Sequence, residues 1–297
     1  MNRTELATLL ALPKRGPAPE VRSRTVEPRD GYVVETLALD LGAEKPVRGL
    51  LTRPEKVTGK LSAVLYCHAH GAKYDIGAGE LLEKRPSFLS AYGPLLAAEG
   101  FITLCIDVAT FGERQQPAES ALSKALLWHG KTLMGNMLGD LLAAFGYLAG
   151  RDDVDASKIA AFGLSMGATH AYFLGALEPR FNRIAHLCCY ADWDYLVRTG
   201  AHDLHGHYMT IPGLLAKTSV GAIAGMIAPR PQLICVGYQD PLTPKPAVER
   251  ALEETRVAYA RANAPEVLTL VEEAETGHVE TPKTREAVLA FLRDMKG

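Results

Sequence analysis

From residue 61 onward, short continuous apolar runs alternate with longer stretches in which apolar residues recur every three or four positions. The runs are LSAVLYCH (61–68), FITLCIDV (101–108), KIAAFG (158–163), RIAHLCCY (183–190), PQLICVGY (231–238) and EVLTLVEE (266–273). A strand that lacks in–out alternation is buried on both faces, as in a parallel sheet covered by helices. The intervening stretches 87–100, 124–150, 166–178, 246–263 and 283–295 predict helices, and the first two close on Gly100 and Gly150. Repeated β–α units predict right-handed crossovers and a doubly wound sheet. Upstream, YVVETLALDL (32–41) and VRGLLTRP (47–54) read as an antiparallel hairpin, and residues 1–30 as an N-terminal extension built on an amphipathic helix. One stretch breaks the rhythm. Residues 191–230 separate two strands by far more than an ordinary connection and read as a cap or lid. The expected fold class is therefore α/β: one domain over residues 1–297, with a mostly parallel central sheet and helices on both faces.

Composition narrows the partners. A net charge of -2 with no block of like charges gives no reason to expect nucleic acid or anionic lipid. No segment approaches the roughly 18 apolar residues of a membrane span. The start, MNRTELATLLALPKRGPAPE, lacks a signal-peptide cleavage site. The five cysteines, Cys67, Cys105, Cys188, Cys189 and Cys235, fall in apolar runs without metal-like or disulfide-like spacing. They read as reduced core residues of a cytoplasmic protein. Homo-oligomer formation is left open.

The chemistry concentrates at AFGLSMGATH (161–170). A buried strand, a sharp turn and a helix would lift Ser165 above the carboxyl edge of the sheet, where open α/β sheets bind ligands. Gly163 and Gly167 remove side chains that would collide with the neighbouring strand and helix, and the helix that follows favours developing negative charge. The bland alternative is a serine that caps the helix. A nucleophilic serine needs a base. Of nine histidines, only His278 follows the last expected strand, in the polar loop EEAETGHVETP. The acid that orients it is expected at Asp240, in VGYQDPLTP after the penultimate strand, with Asp192 or Asp194 as fallback. The oxyanion is expected to meet the amide of Met166 and one from the loop YCHAHGAKYD (66–75), with Ala72 the expected donor and Gly71 admitting close approach of the backbone.

Taken in order, HAHGAKYD (68–75), DVATFGER (107–114), FGLSMGA (162–168), IPGLL (211–215), IAPRPQLICVGYQDPLTP (227–244) and TGH (276–278) resemble the α/β-hydrolases, over most of residues 30–297. The narrower resemblance is to the dienelactone-hydrolase-like and acetyl-xylan-esterase-like branch. It implies a triad of Ser165, Asp240 and His278 and no cofactor. Dienelactone hydrolases proper use a cysteine nucleophile; a serine here points to ordinary carboxylic esters. By the same analogy the substrate is a small-molecule ester, a small acyl group on a polar alcohol; Gly71, Tyr74, Asp75, Trp193, Tyr208, Met209 and the rest of the 191–230 insertion are expected to wall its cleft. Three other readings remain at this stage. One is an acyltransferase with the same triad, and another is a binding protein that kept the fold without the chemistry. The third is a metal-dependent hydrolase using His68, His70 and the histidines of HDLHGHYM (202–209), although no HExxH or clear carboxylate set accompanies them, so no metal is expected.

Overall fold

The computed structural model describes residues 1–14, 16, 19–43 and 45–296. Among these residues the nine strands are β1 (Glu20–Arg29), β2 (Tyr32–Asp40), β3 (Val47–Pro54), β4 (Leu61–Cys67), β5 (Ile102–Ile106), β6 (Val154–Leu164), β7 (Arg183–Leu187), β8 (Gln232–Gly237) and β9 (Leu268–Glu273). They form one sheet in the order β1-β2-β3-β5-β4-β6-β7-β8-β9. From β5 to β9 every neighbouring pair is parallel, whereas β1, β2, β3 and β5 pair antiparallel.

Nine helices alternate with or precede these strands among the described residues: α1 (Arg3–Leu9), α2 (Tyr92–Ala98), α3 (Glu119–Trp128), α4 (Leu133–Ala149), α5 (Met166–Leu177), α6 (Trp193–Thr199), α7 (Val220–Gly225), α8 (Lys245–Arg261) and α9 (Pro282–Arg293). They explain why the strands read as unbroken apolar runs. In β4, Ala63 and Leu65 join a core that holds residues of α4, α5, α7 and α8, while Val64 and Tyr66 join a second core with residues of α2 and α9. Successive side chains point to opposite faces, and both faces are covered.

Three expectations are corrected. Residues 1–30 are not a purely helical extension, because β1 follows α1 and lengthens the hairpin into a three-stranded antiparallel arm. Every residue of β1 is exposed, so EVRSRTVEPR has no apolar face for periodicity to reveal. The single helix expected over 124–150 is two, α3 and α4. Gly130 turns the chain at φ +67°, and Thr132 caps α4 by accepting from the Gly135 amide at 2.9 Å. The helix expected over 87–100 shortens to α2, which still stops at Gly100, φ +81°. Within residues 191–230 lie α6, two single-turn 3-10 helices (Ala201–Leu204 and His207–Met209) and α7. No helix among the described residues is long and apolar enough to cross a membrane.

Candidate active site

The loops after β4, β6, β8 and β9 leave the carboxyl ends of parallel strands and therefore open on the same edge of the sheet. Ser165 stands between β6 and α5 at φ 59°, ψ -124°, a region that disfavours any residue with a Cβ. Its amide donates to the Leu187 carbonyl at 2.9 Å, which anchors the turn on β7. Its hydroxyl caps nothing in α5, so the capping role does not account for the serine. The two flanking glycines are sterically required. A Cβ on Gly163 would overlap the Gly167 backbone, and one on Gly167 would overlap the Cys67 carbonyl. Met166 opens α5, so its amide has no acceptor inside the helix.

His278 sits in the loop between β9 and α9, and its Nδ1 donates to Asp240 Oδ2 at 2.6 Å. The carboxylate has no solvent exposure, while the imidazole is 22% exposed. Asp240 is itself oriented by the turn it begins: Oδ1 accepts from the Leu242 amide at 2.9 Å, and Oδ2 accepts from the Thr243 hydroxyl at 3.2 Å. Gly237, the last residue of β8, makes the meeting possible. A Cβ there would overlap the Thr276 carbonyl and reach 2.7 Å from that of Gly277, holding the 276–278 turn away from Asp240. The Gln239 amide also donates to the Thr276 carbonyl, at 2.9 Å. With Nδ1 engaged, Nε2 is the nitrogen of His278 free to handle a proton.

The two fallback acids have other work. Asp192 caps α6, accepting from the Tyr195 amide at 2.8 Å, and lies 3.6 Å from the Arg250 guanidinium. Asp194 pairs with Arg198 at 2.8 Å.

Ser165 and His278 line one cleft of about 460 Å³, together with Gly71, Ala72, Tyr74 and Tyr208 from the expected set. Leu204, His205, Gly206 and His207 of the 191–230 insertion also line it, whereas sequence reasoning missed His70, Glu119 and Leu242 as walls of that cleft. Glu119 lies ahead of the helix expected from residue 124, and nothing local marks it. Trp193 and Met209 do not line the cleft. They line an adjoining hollow of about 350 Å³ within residues 193–215, which shares only His205, Gly206 and His207 with it. Asp75 is exposed and lines neither. Ala72 also departs from expectation. Its backbone is at φ 53°, and its amide donates to His70 Nδ1 at 3.0 Å, so that donor is already engaged. All five cysteines are free and buried.

The histidines read as possible ligands do not converge: among the described residues, no three His, Cys, Asp or Glu side chains gather where a metal ion could bind. His205 Nε2 donates to the Leu242 carbonyl at 3.0 Å, and burial lowers the pKa of the ring. Burial also holds His68 down to about 4, and His170 and His186 down to about 3. These three rings stay neutral in the folded chain at pH values where an unfolded histidine, with a pKa of about 6.5, takes up a proton. Stability is therefore present above pH 6.5 and is lost as pH falls toward 4, by about 1.4 kcal/mol per pH unit for each ring fully engaged. Thermal melts between pH 7 and pH 4 are expected to show a steep fall in Tm that His186→Asn flattens. A Tm independent of pH over that range would contradict the burial of these rings.

No protein-family model matches the chain. It is 37% identical over 297 residues to "Putative hydrolase YtaP" of Bacillus subtilis (strain 168), covering 98% of this chain and 97% of that protein. Among solved structures it resembles a "putative acetyl xylan esterase" from Bacteroides fragilis NCTC 9343, with TM-score 0.75, 17% identity, and 99% and 86% of the two chains covered. It also resembles a glucuronoyl esterase from Solibacter usitatus, with TM-score 0.71, 14% identity, and 99% and 92% covered. Strand order, the strained serine turn and full-length similarity to a hydrolase agree: the chain belongs to the α/β-hydrolase superfamily.

Proposed function

We propose that this protein is a serine esterase that cleaves carboxylic esters through an acyl-enzyme. The observation that supports this best is the His278–Asp240 bond at the rim of a cleft whose wall includes Ser165 in its strained turn. His278 Nε2 takes the proton of Ser165 as the hydroxyl attacks the ester carbonyl. The Met166 amide and an amide of the 70–72 turn hold the oxyanion, and Ala72 serves only if it exchanges its bond to His70. His278 then protonates the leaving alcohol, and water, activated by the same ring, releases the acid.

The cleft suits a small acyl group on a polar alcohol. Its volume is modest, and Tyr74, Glu119, His205 and His207 give it polar walls. Structural relatives named for acetyl xylan and glucuronoyl ester cleavage point the same way. We read the chain as one domain in which residues 191–230 cap the cleft. Five free, buried cysteines fit a reducing compartment, and we assign the protein to the cytoplasm.

The decisive experiment uses a serine-reactive phosphonate followed by peptide mass analysis. The label is expected on Ser165 in the wild type and absent in Ser165→Ala. A wild type that stays unlabelled, or equal labelling of the variant, would refute the reading.

A further inference from the structure

Glu119 lies outside the Ser165, Asp240 and His278 set, yet on the wall of the same cleft. It opens α3, its side chain is 3% exposed, and two segments donate to it. From the turn after β4 come His70 Nε2 at 3.0 Å and the Tyr74 hydroxyl at 2.9 Å. From the 191–230 segment comes the Tyr208 amide at 3.0 Å. Burial pushes this carboxyl up. The hydrogen bonds from the His70 ring, the Tyr74 hydroxyl and the Tyr208 amide outweigh it and hold the group below the usual carboxylate range.

These bonds fix a tautomer. A backbone N–H can only donate, so His70 Nδ1, which receives the Ala72 amide, must present a lone pair. The ring proton then sits on Nε2 and points at Glu119. A continuous relay runs from the carboxylate, through the imidazole, to the backbone of the turn that faces Ser165. Gly206 closes over it: a Cβ there would stand 2.8 Å from His70 Nε2 and 2.9 Å from Glu119 Oε1, so the 191–230 segment rests directly on the pair. Behind the turn, Arg85 donates to the His70 carbonyl at 3.1 Å while paired with Glu80 at 2.8 Å. The turn is therefore held between two buried carboxylates.

We infer that Glu119 is a positioning residue for ester cleavage: through His70 it sets the 70–74 turn opposite Ser165, and through Tyr208 it seats the 191–230 segment over the same cleft. This rests on the serine-esterase reading. Glu119→Gln keeps the volume but offers one oxygen and an NH2 group to three donors, so at least one donor faces another. The expected result is a loss of about 10²-fold in kcat with KM changed far less, the size of effect that a slightly misplaced site produces. A merely structural role would not alter a tautomer, so histidine 15N spectra supply the second readout. His70, assigned by its absence in His70→Asn, is expected as the Nε2–H form in the wild type and as a shifted mixture in Glu119→Gln. Should Glu119→Gln fail to fold, His70→Gln carries the kinetic test, because its amide still reaches Glu119 but leaves the Ala72 N–H without an acceptor. A wild type without esterase activity overturns the esterase reading and this inference with it. An active wild type whose folded variants keep kcat within twofold, or whose His70 carries its proton on Nδ1, overturns the inference alone.

Discussion

Ser165→Ala is expected to lower kcat for ester hydrolysis by about 10⁶-fold while leaving the folded chain intact. Both halves follow from the turn at the end of β6. The hydroxyl makes no capping bond, so its removal leaves no buried partner unsatisfied. Alanine keeps the Cβ that strains the backbone at φ 59°, so the conformational cost is the same in both proteins and the melting temperature should barely move. Ser165→Gly is the informative companion. It removes that strain, and with it an expected penalty of about 1–3 kcal/mol, so the glycine variant should melt higher than the wild type and be equally inactive. Rate and stability are thus expected to move in opposite directions at this position. Turnover by Ser165→Ala within tenfold of the wild type would remove the serine from the chemistry.

The parts legible in the sequence are those whose local pattern and tertiary role coincide. The strands β4 to β8 could be read because helices cover both of their faces, which forces unbroken apolar runs. The serine turn could be read because Gly163 and Gly167 answer a collision that any side chain would cause. The placement of His278 and Asp240 followed from chain order after the last two strands. What stayed hidden depends on long-range packing. β1 exposes every residue and leaves no apolar signal. Gly237 reads as one more glycine at a strand end, until the 276–277 carbonyls are seen packed against it. Glu119 gains its meaning only when His70, Tyr74 and Tyr208, drawn from two distant segments, converge on it. Trp193 and Met209 were expected on the wall of the serine's cleft, but they line an adjoining hollow that shares only the strip 205–207 with it. Composition cannot reveal a partition of that kind.

Asp240→Asn is expected to cost about 10⁴-fold in kcat, with KM nearly unchanged. The carboxylate does two things for His278. It accepts the Nδ1 proton at 2.6 Å, which leaves Nε2 free of a proton and able to take one, and in the proposed mechanism it stabilises the imidazolium formed during attack. Asparagine can keep the bond from the Leu242 amide through its oxygen, so the turn should survive. The atom facing His278 is then an NH2 group, which accepts nothing and donates to Nδ1 instead. The ring proton moves to Nε2, and the base can no longer receive the proton of Ser165. Asp192→Asn is the control. That side chain caps α6 and never meets His278, and asparagine caps a helix about as well, so the variant should keep both its fold and its turnover. In the proposed triad serine, histidine and aspartate act as a unit, so Asp240→Asn combined with Ser165→Ala should be no slower than Ser165→Ala alone. An Asp240→Asn enzyme within tenfold of wild-type kcat, or an additive double variant, would mean that His278 is oriented by some other group.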